Sequence, residues 1–300
     1  MANTFLKSET IARTALGLLQ REIVLPRLVW GYGAADFRGA KDDTVTLRLP
    51  AVLSARDYEW RTRGSAIVID DLTEVGVDVT LDTHPYSAVA ITDEQLTLDI
   101  VSFGEQVLMP QVRAVAERLE NLIATTIEGA TVPAASALTH TIGTDDAYVT
   151  ALAARTQLNL NNVPMSERVL LLGANLEADF LGSERLSDVD RSGSDSALRD
   201  ASIGRVAGFT VVTSNAIDPD AGYAFHRTAV AFGNVAPVVP DGVNAGASET
   251  YAGLAMRWIR DYDPNYLRDR SVVSSFAGAA SVEDDGSENT RLVTINAPGS

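Results

Sequence analysis

A single apolar stripe, beginning at Leu108, limits the folds open to this chain more than any other feature. Apolar residues recur there with alternating steps of four and three, at Leu108, Val112, Val115, Leu119 and Leu122. Ala116, Ile123 and Ile127 widen the stripe. This width is typical of a helix packed on a sheet and is too broad for a coiled-coil seam. Pro110 is placed to begin or kink the helix, and Gly129 to end it.

Two stretches before this helix alternate as strands do, and the segment between them is charged and aromatic. Apolar residues occupy every second position over residues 45–49 and again over residues 77–81. We therefore predict a long hairpin-like projection over residues 41–92, with a tip at residues 54–64. Arginine can hold a carboxylate through its planar fork, and tryptophan can anchor a contact pocket. The candidate inter-subunit contact residues at this tip are Arg56, Asp57, Glu59, Trp60, Arg61 and Arg63.

The flanking regions show weaker signals. Apolar spacing over residues 10–24 predicts a short amphipathic helix in an extended arm; Pro26 ends that pattern, and Gly31 and Gly33 then suggest a flexible joint. Farther on, helices are predicted over residues 145–159 and 176–181, and strands over residues 168–172, 208–215, 229–232 and 292–295. The chain is therefore predicted to be a mixed α+β protein.

Composition excludes several classes of protein. The chain has no cysteine, so a disulfide framework or a thiol nucleophile is excluded. Its net charge of -16 gives it no general attraction to DNA phosphates. That charge fits ordinary solubility, and it also fits a container wall that must not adhere to enclosed DNA. We find neither the apolar centre of a signal peptide nor a run of about 18 apolar residues that would span a bilayer.

No motif with specific chemistry stands out. The three histidines, His84, His140 and His226, are far apart and lack the spacing of a metal site. The segment Asp188–Arg199 places oxygens as a calcium loop does, but Arg199 stands where the closing glutamate should be. We interpret that segment as a polar surface loop. We expect no catalytic, cofactor-binding or metal-binding residue.

The order of elements, together with three local segments, resembles the major capsid (coat) proteins of tailed bacteriophages, whose fold is shared with encapsulins. One segment, 197–215, runs through an Ile-Gly-Arg and Gly-Phe step into a strand ending at Ser-Asn. The others are Leu96–Leu98 followed by Pro110, and Phe225–Phe232. The resemblance covers nearly the whole chain.

This resemblance implies a fold with an N-terminal arm, an extended β-hairpin loop, a spine helix, a peripheral sheet and an apical domain. The corresponding ranges are 1–40 for the arm, 41–92 for the hairpin loop, 93–130 for the spine helix, 131–245 for the apical domain, and 246–300 for the return strands and C-terminal segment. Some members of the family form a covalent crosslink between a lysine on the hairpin loop and a distant asparagine. The only lysines here, Lys7 and Lys41, lie away from the tip, so we do not expect that crosslink.

The function implied is self-assembly, as hexamers and pentamers, into an icosahedral head shell around double-stranded DNA. The implied partners are further copies of the chain, a separate scaffolding protein, a portal protein and a decoration protein, with no membrane and no cofactor. The shell would assemble in the host cytoplasm. Two alternatives stay open: an encapsulin-type compartment enclosing a protein cargo, and a small hydrolase or metal enzyme with an unrecognised site.

Overall fold

The long helix Met109–Glu128 is the central element of the fold. A computed structural model describes residues 23–37, 43–49, 53, 55–58, 60–61, 66–69, 71–72, 74–96, 102–183, 204–243, 245–251, 254–284 and 287–297. Pro110 lies in the first turn of the long helix, after a π-helical turn over Gly104–Leu108, and Gly129 caps its end. The position of the proline follows from local chemistry, because proline lacks the N–H that an interior helical position would need.

The strands, in chain order, are β1 (Trp30–Tyr32), β2 (Thr44–Leu49), β3 (Val75–Thr80), β4 (Tyr86–Thr92), β5 (Ala137–Thr139), β6 (Arg168–Leu172), β7 (Arg205–Val206), β8 (Phe209–Thr213), β9 (Ala221–His226), β10 (Val230–Val235), β11 (Ala245–Tyr251), β12 (Leu254–Asp263), β13 (Arg268–Ser274), β14 (Phe276–Ser281) and β15 (Leu292–Asn296). They form sheets in the orders β1-β10-β14, β11-β12-β13-β4 and β5-β15-β9-β6-β8-β7, with β2 and β3 paired separately. The other α-helices among the described residues are Leu25–Leu28, Ala34–Phe37, Ala147–Leu160 and Ala174–Gly182.

The long helix buries the stripe predicted for it. Leu119, Ile123 and Ile127 are fully buried in the largest apolar cluster of the described residues, together with Phe225 and Phe232. The helix therefore packs against strands of several sheets at once. Leu122, which the spacing also placed on the stripe, is only partly buried at the edge of this cluster.

The six-stranded sheet lies between two apolar clusters. In β6, Val169 and Leu171 face the cluster of the long helix, while Leu170 and Leu172 face a second cluster. This alternation explains why every residue of β6 is buried, as expected for a strand covered on both faces. The second cluster is covered by the helix Ala147–Leu160, called the outer helix below, and by the helix Ala174–Gly182.

The helix predicted over residues 10–24 lies largely outside the described residues, and Pro26 lies in a separate helical turn, Leu25–Leu28. Two other features differ from the sequence-based expectations. Gly31 and Gly33 do not form a flexible joint: Gly31 lies within β1, which pairs in parallel with β10 about 200 residues later. The sheets also cross the division at residue 245, because β15 joins the six-stranded sheet and β10 joins β1 and β14. The positions of β1, β10 and β15 depend on pairing between strands that are far apart in the sequence. A local residue pattern does not indicate which distant strand will be the partner.

Candidate assembly surface

Strands β2 and β3 form the base of a projection whose tip holds the candidate contact residues. They pair antiparallel from Thr44 with Thr80 to Leu49 with Val75. The Thr46 hydroxyl donates to the Asp78 carboxylate at 2.6 Å across the pair. Such cross-strand pairs fix the register of a hairpin that would be marginally stable alone.

The base of the hairpin is attached to the body of the molecule through β14. Val79 is fully buried in a third cluster with Phe37, Ala231 and Val282. The backbone carbonyl of Thr80 lies so close to Gly278 that a Cβ at that position would overlap it. The direction in which the hairpin leaves the body is therefore determined by tight packing at its base.

The tip presents aromatic and charged groups to solvent. Arg56, Asp57, Trp60 and Arg61 are all exposed, and 64% of the Trp60 surface is accessible. The Arg61 guanidinium lies over the Trp60 ring, 4.9 Å from its centroid, in a cation–π contact. Of the six candidate contact residues, the structure brings these two together. Glu59 and Arg63 lie outside the described residues.

The same projection exposes an apolar run that our sequence analysis did not single out. The side chains of Ile67, Val68, Ile69 and Leu72 are between 60% and 84% exposed. A run of consecutive apolar residues in a hairpin, without the alternation of a half-buried strand, is the signal that could have revealed it. Exposed apolar patches of this kind mark interaction surfaces in soluble proteins.

Comparison with known proteins identifies the family. A family model described as phage capsid protein matches residues 74–281, well over half of the chain. The chain belongs to the phage capsid protein family. It is a phage capsid protein. No curated protein sequence matches it.

Solved structures share the fold of this capsid protein along nearly its whole length. A structure from Mycobacterium phage Che8 is 21% identical, with a TM-score of 0.66, over 93% of this chain and 92% of that one. The capsid structure of cyanophage P-SCSP1u is 13% identical with the same TM-score, over 93% and 89%. A virus-like particle from Pyrococcus furiosus is 10% identical with a TM-score of 0.52, over 96% and 97%. The family match favours the phage shell over the encapsulin-type alternative.

The three histidines of the capsid protein lie in separate surroundings. The His84 ring packs on Phe276 with centroids 4.4 Å apart. His226 bonds to Thr228 through Nδ1, and its burial lowers the pKa of the imidazole. Within the described residues, no three His, Asp or Glu side chains are grouped as metal ligands. Asp188–Arg199, the segment resembling a calcium loop, lies outside the described residues.

His140 forms a buried three-residue network that superficially resembles catalytic machinery. Its Nδ1 lies 2.8 Å from the Thr150 hydroxyl, and its Nε2 lies 2.7 Å from the Asp179 carboxylate. The His140 side chain is fully buried, and Thr150 is buried as well. The network connects the outer helix, which carries Thr150, to the helix carrying Asp179.

A groove of about 330 Å³ lies beside the long helix, where the described chain begins at Ile23. On its wall, the Glu120 carboxylate accepts hydrogen bonds from the backbone N–H groups of Val24 and Leu25, at 3.3 and 3.4 Å. Burial raises the pKa of Glu120 despite these two bonds, which act in the opposite direction. Glu120 thus connects the N-terminal segment to the long helix.

No helix among the described residues has the length and apolar character needed to span a membrane.

Proposed function

We propose that copies of this capsid protein join into the head shell by docking the hairpin tip of each copy onto its neighbour. The observation that carries this proposal is the exposure of Trp60 and of the apolar run Ile67–Ile69 on one projection. A solvated turn would have little reason to carry four large exposed apolar side chains. Burying one such side chain against a neighbour would contribute about 1.5–3 kcal/mol.

Charge gives the tip its preference for another copy of the same protein. The chain carries a net charge of -16, so the body of a neighbouring copy is rich in carboxylates. Arg56 and Arg61 can hold such carboxylates bidentately, and the aromatic ring of Trp60 already orients the Arg61 guanidinium. Arg63, adjacent in sequence, would add a third cation. A modest gain at each contact is multiplied over the many equivalent contacts of a closed shell.

Membership of the family supports a wider proposal for the assembly. In this proposal the subunits form hexamers and pentamers in the host cytoplasm with a scaffolding protein, close the shell at a portal protein, and accept a decoration protein outside. The shell encloses double-stranded DNA without sequence-specific binding and without a catalytic step. The proposed parts of the subunit are the arm (1–40), the hairpin loop (41–92), the spine (93–130), the apical part (131–245), and the return strands with the C-terminal segment (246–300).

The test separates the two kinds of contact at the tip. Ile69→Asp should abolish shell formation, because it would place a carboxylate in an apolar contact. Arg61→Glu combined with Arg63→Glu should leave the fold intact but block shell formation or make it more sensitive to salt, because it reverses charges whose interactions salt screens. Circular dichroism checks the fold, and light scattering with electron microscopy counts shells. Arg27→Glu, a charge reversal at an exposed site away from the hairpin, is the matched control.

Normal shell yield for both tip variants across a range of salt would reject the hairpin contact.

The contents of purified particles test the alternative compartment function. Double-stranded DNA inside supports the phage head, whereas a protein cargo without DNA would support the encapsulin-type reading.

A further inference from the structure

The outer helix has two apolar faces, and within the described residues only one of them is covered. Its inner face packs in the second apolar cluster through Ala147, Ala151, Ala154 and Leu158. On the opposite side, a second set recurs at helical spacing: Val149, Leu152, Ala153, Thr156 and Leu160. We call this set the outer stripe. All five are exposed, and the exposed fraction of Leu160 reaches 70%.

The outer stripe carries no charged side chain. The only charged residue in the outer helix is Arg155, and its guanidinium turns inward to donate to the Ala207 carbonyl. By contrast, the neighbouring helix Ala174–Gly182 carries Glu177 and Asp179. An uncharged, apolar helix face is unusual on the surface of so acidic a chain, because a solvated helix normally carries charged residues on its outer side.

We infer that a second copy of this chain covers the outer stripe in the assembled shell. Copies that each carry a net charge of -16 repel one another wherever their carboxylates meet. A face without carboxylates is where two copies can approach without that repulsion. The small side chains of Ala153 and Thr156 lie in the middle of the stripe, so a neighbouring backbone can come close there.

The size of the outer stripe indicates when this contact forms. The outer helix has 14 residues, so the stripe is only about 21 Å long. The stripe by itself is smaller than a stable protein–protein interface, which buries about 1,200 Å² or more. The contact therefore forms in the shell, where other contacts keep neighbouring copies in place. This inference rests on the shell function and is independent of the hairpin proposal.

Thiol labelling tests the inference, because the chain contains no cysteine. Ala153→Cys places one thiol in the stripe, and Ala178→Cys places one at an exposed position of the neighbouring helix. Shells are assembled and then purified away from any other protein, so that only another copy of this chain can cover the thiol. We expect Ala153→Cys to react with a maleimide about tenfold more slowly in shells than as free subunits, because interface cores exclude solvent. Ala178→Cys should react at similar rates in both states.

A charge-insertion pair gives a second, independent readout. Ala153→Asp introduces a carboxylate into the stripe, while Ala178→Asp introduces the same group beside Glu177 and Asp179. Both positions are exposed, so both variants should fold. We expect Ala153→Asp to reduce shell yield several-fold and Ala178→Asp to leave it unchanged.

The outcomes separate this inference from the proposed function. If shells form but Ala153→Cys labels equally fast in shells and in free subunits, the inference is wrong and the shell function stands. Equal slowing at both positions would also overturn it, since the stripe would then not be selectively covered. If no shell forms under any condition with the unmodified chain, the proposed function itself fails.

Discussion

Gln111 and Ser271 are bonded to each other twice in the core, which connects the long helix to the middle of the four-stranded sheet. The Ser271 hydroxyl donates to the Gln111 carbonyl oxygen at 2.6 Å, and the Gln111 amide donates to the Ser271 backbone carbonyl at 2.9 Å. The same hydroxyl accepts a hydrogen bond from the Trp258 indole at 2.9 Å. Every polar group in this buried network is therefore satisfied, which determines how the helix lies along the sheet.

We expect Ser271→Ala to destabilise the protein by about 1–3 kcal/mol, because it removes a partner from both Gln111 and Trp258 in a dry environment. Denaturant unfolding followed by tryptophan fluorescence measures the loss. Ser166→Ala removes a hydroxyl from an exposed position and should leave the midpoint unchanged. A wild-type midpoint for Ser271→Ala would mean that the network contributes nothing to stability.

Leu119 tests the packing of the long helix. Its side chain is fully buried, so we expect Leu119→Ala to cost about 2–5 kcal/mol through lost burial and the cavity left behind. Leu122→Ala makes the same chemical change at a partly buried position and should cost less. Thermal unfolding of the two variants gives the comparison, and equal losses would contradict the observed orientation of the helix.

Gly278 tests the attachment of the hairpin. A methyl group there would meet the Thr80 carbonyl, so Gly278→Ala should push β3 away from β14. We expect lower stability and, because the hairpin direction changes, a loss of shells at temperatures where the fold persists. Gly31→Ala adds the same methyl in open space and serves as the control. Normal assembly by Gly278→Ala would show that the hairpin base tolerates displacement.

The sequence was informative where the signal is local. A broad apolar stripe at helical spacing has few physical solutions, so the long helix, its proline start and its glycine end were predictable. The alternating residues of β2 and β3 are equally direct, since a period of two places every second side chain on one face. The six-stranded sheet illustrates the limit. A strand was predicted over residues 292–295, but its partners β5 and β9 are determined by packing between distant parts of the chain.

The candidate assembly surface divides in the same way. Trp60 and Arg61 are neighbours in sequence, and their contact needs no tertiary information. The consecutive apolar run Ile67–Ile69 could have indicated an exposed surface. The exposure of the outer stripe could not be predicted, because apolar residues at helical spacing usually indicate a core. The Glu120 carboxylate accepts a hydrogen bond from the backbone N–H of Val24, 96 residues away. Because every residue except proline has a backbone N–H, the sequence does not indicate which one the carboxylate will bind.

That contact gives a pH-dependent prediction. Burial raises the folded-state pKa of Glu120 above its ordinary value of 4.5, against the opposing effect of the Val24 and Leu25 N–H groups. A raised pKa means that the protonated carboxyl favours the folded state, and this contribution is lost as the pH rises through the folded-state pKa. At neutral pH the wild-type protein therefore carries a buried charge that opposes folding.

Glu120→Gln keeps an oxygen that can accept the two backbone N–H bonds but removes the charge. We expect the variant to be more stable than wild type at pH 7, with the difference shrinking as the pH falls and vanishing once Glu120 is protonated in both states. Urea unfolding at a series of pH values measures this difference. Glu94→Gln removes a charge from an exposed site away from Glu120, so it should produce no such gain. A Glu120→Gln variant less stable than wild type at pH 7 would mean that the charged bonds to Val24 and Leu25 outweigh the burial of the carboxylate.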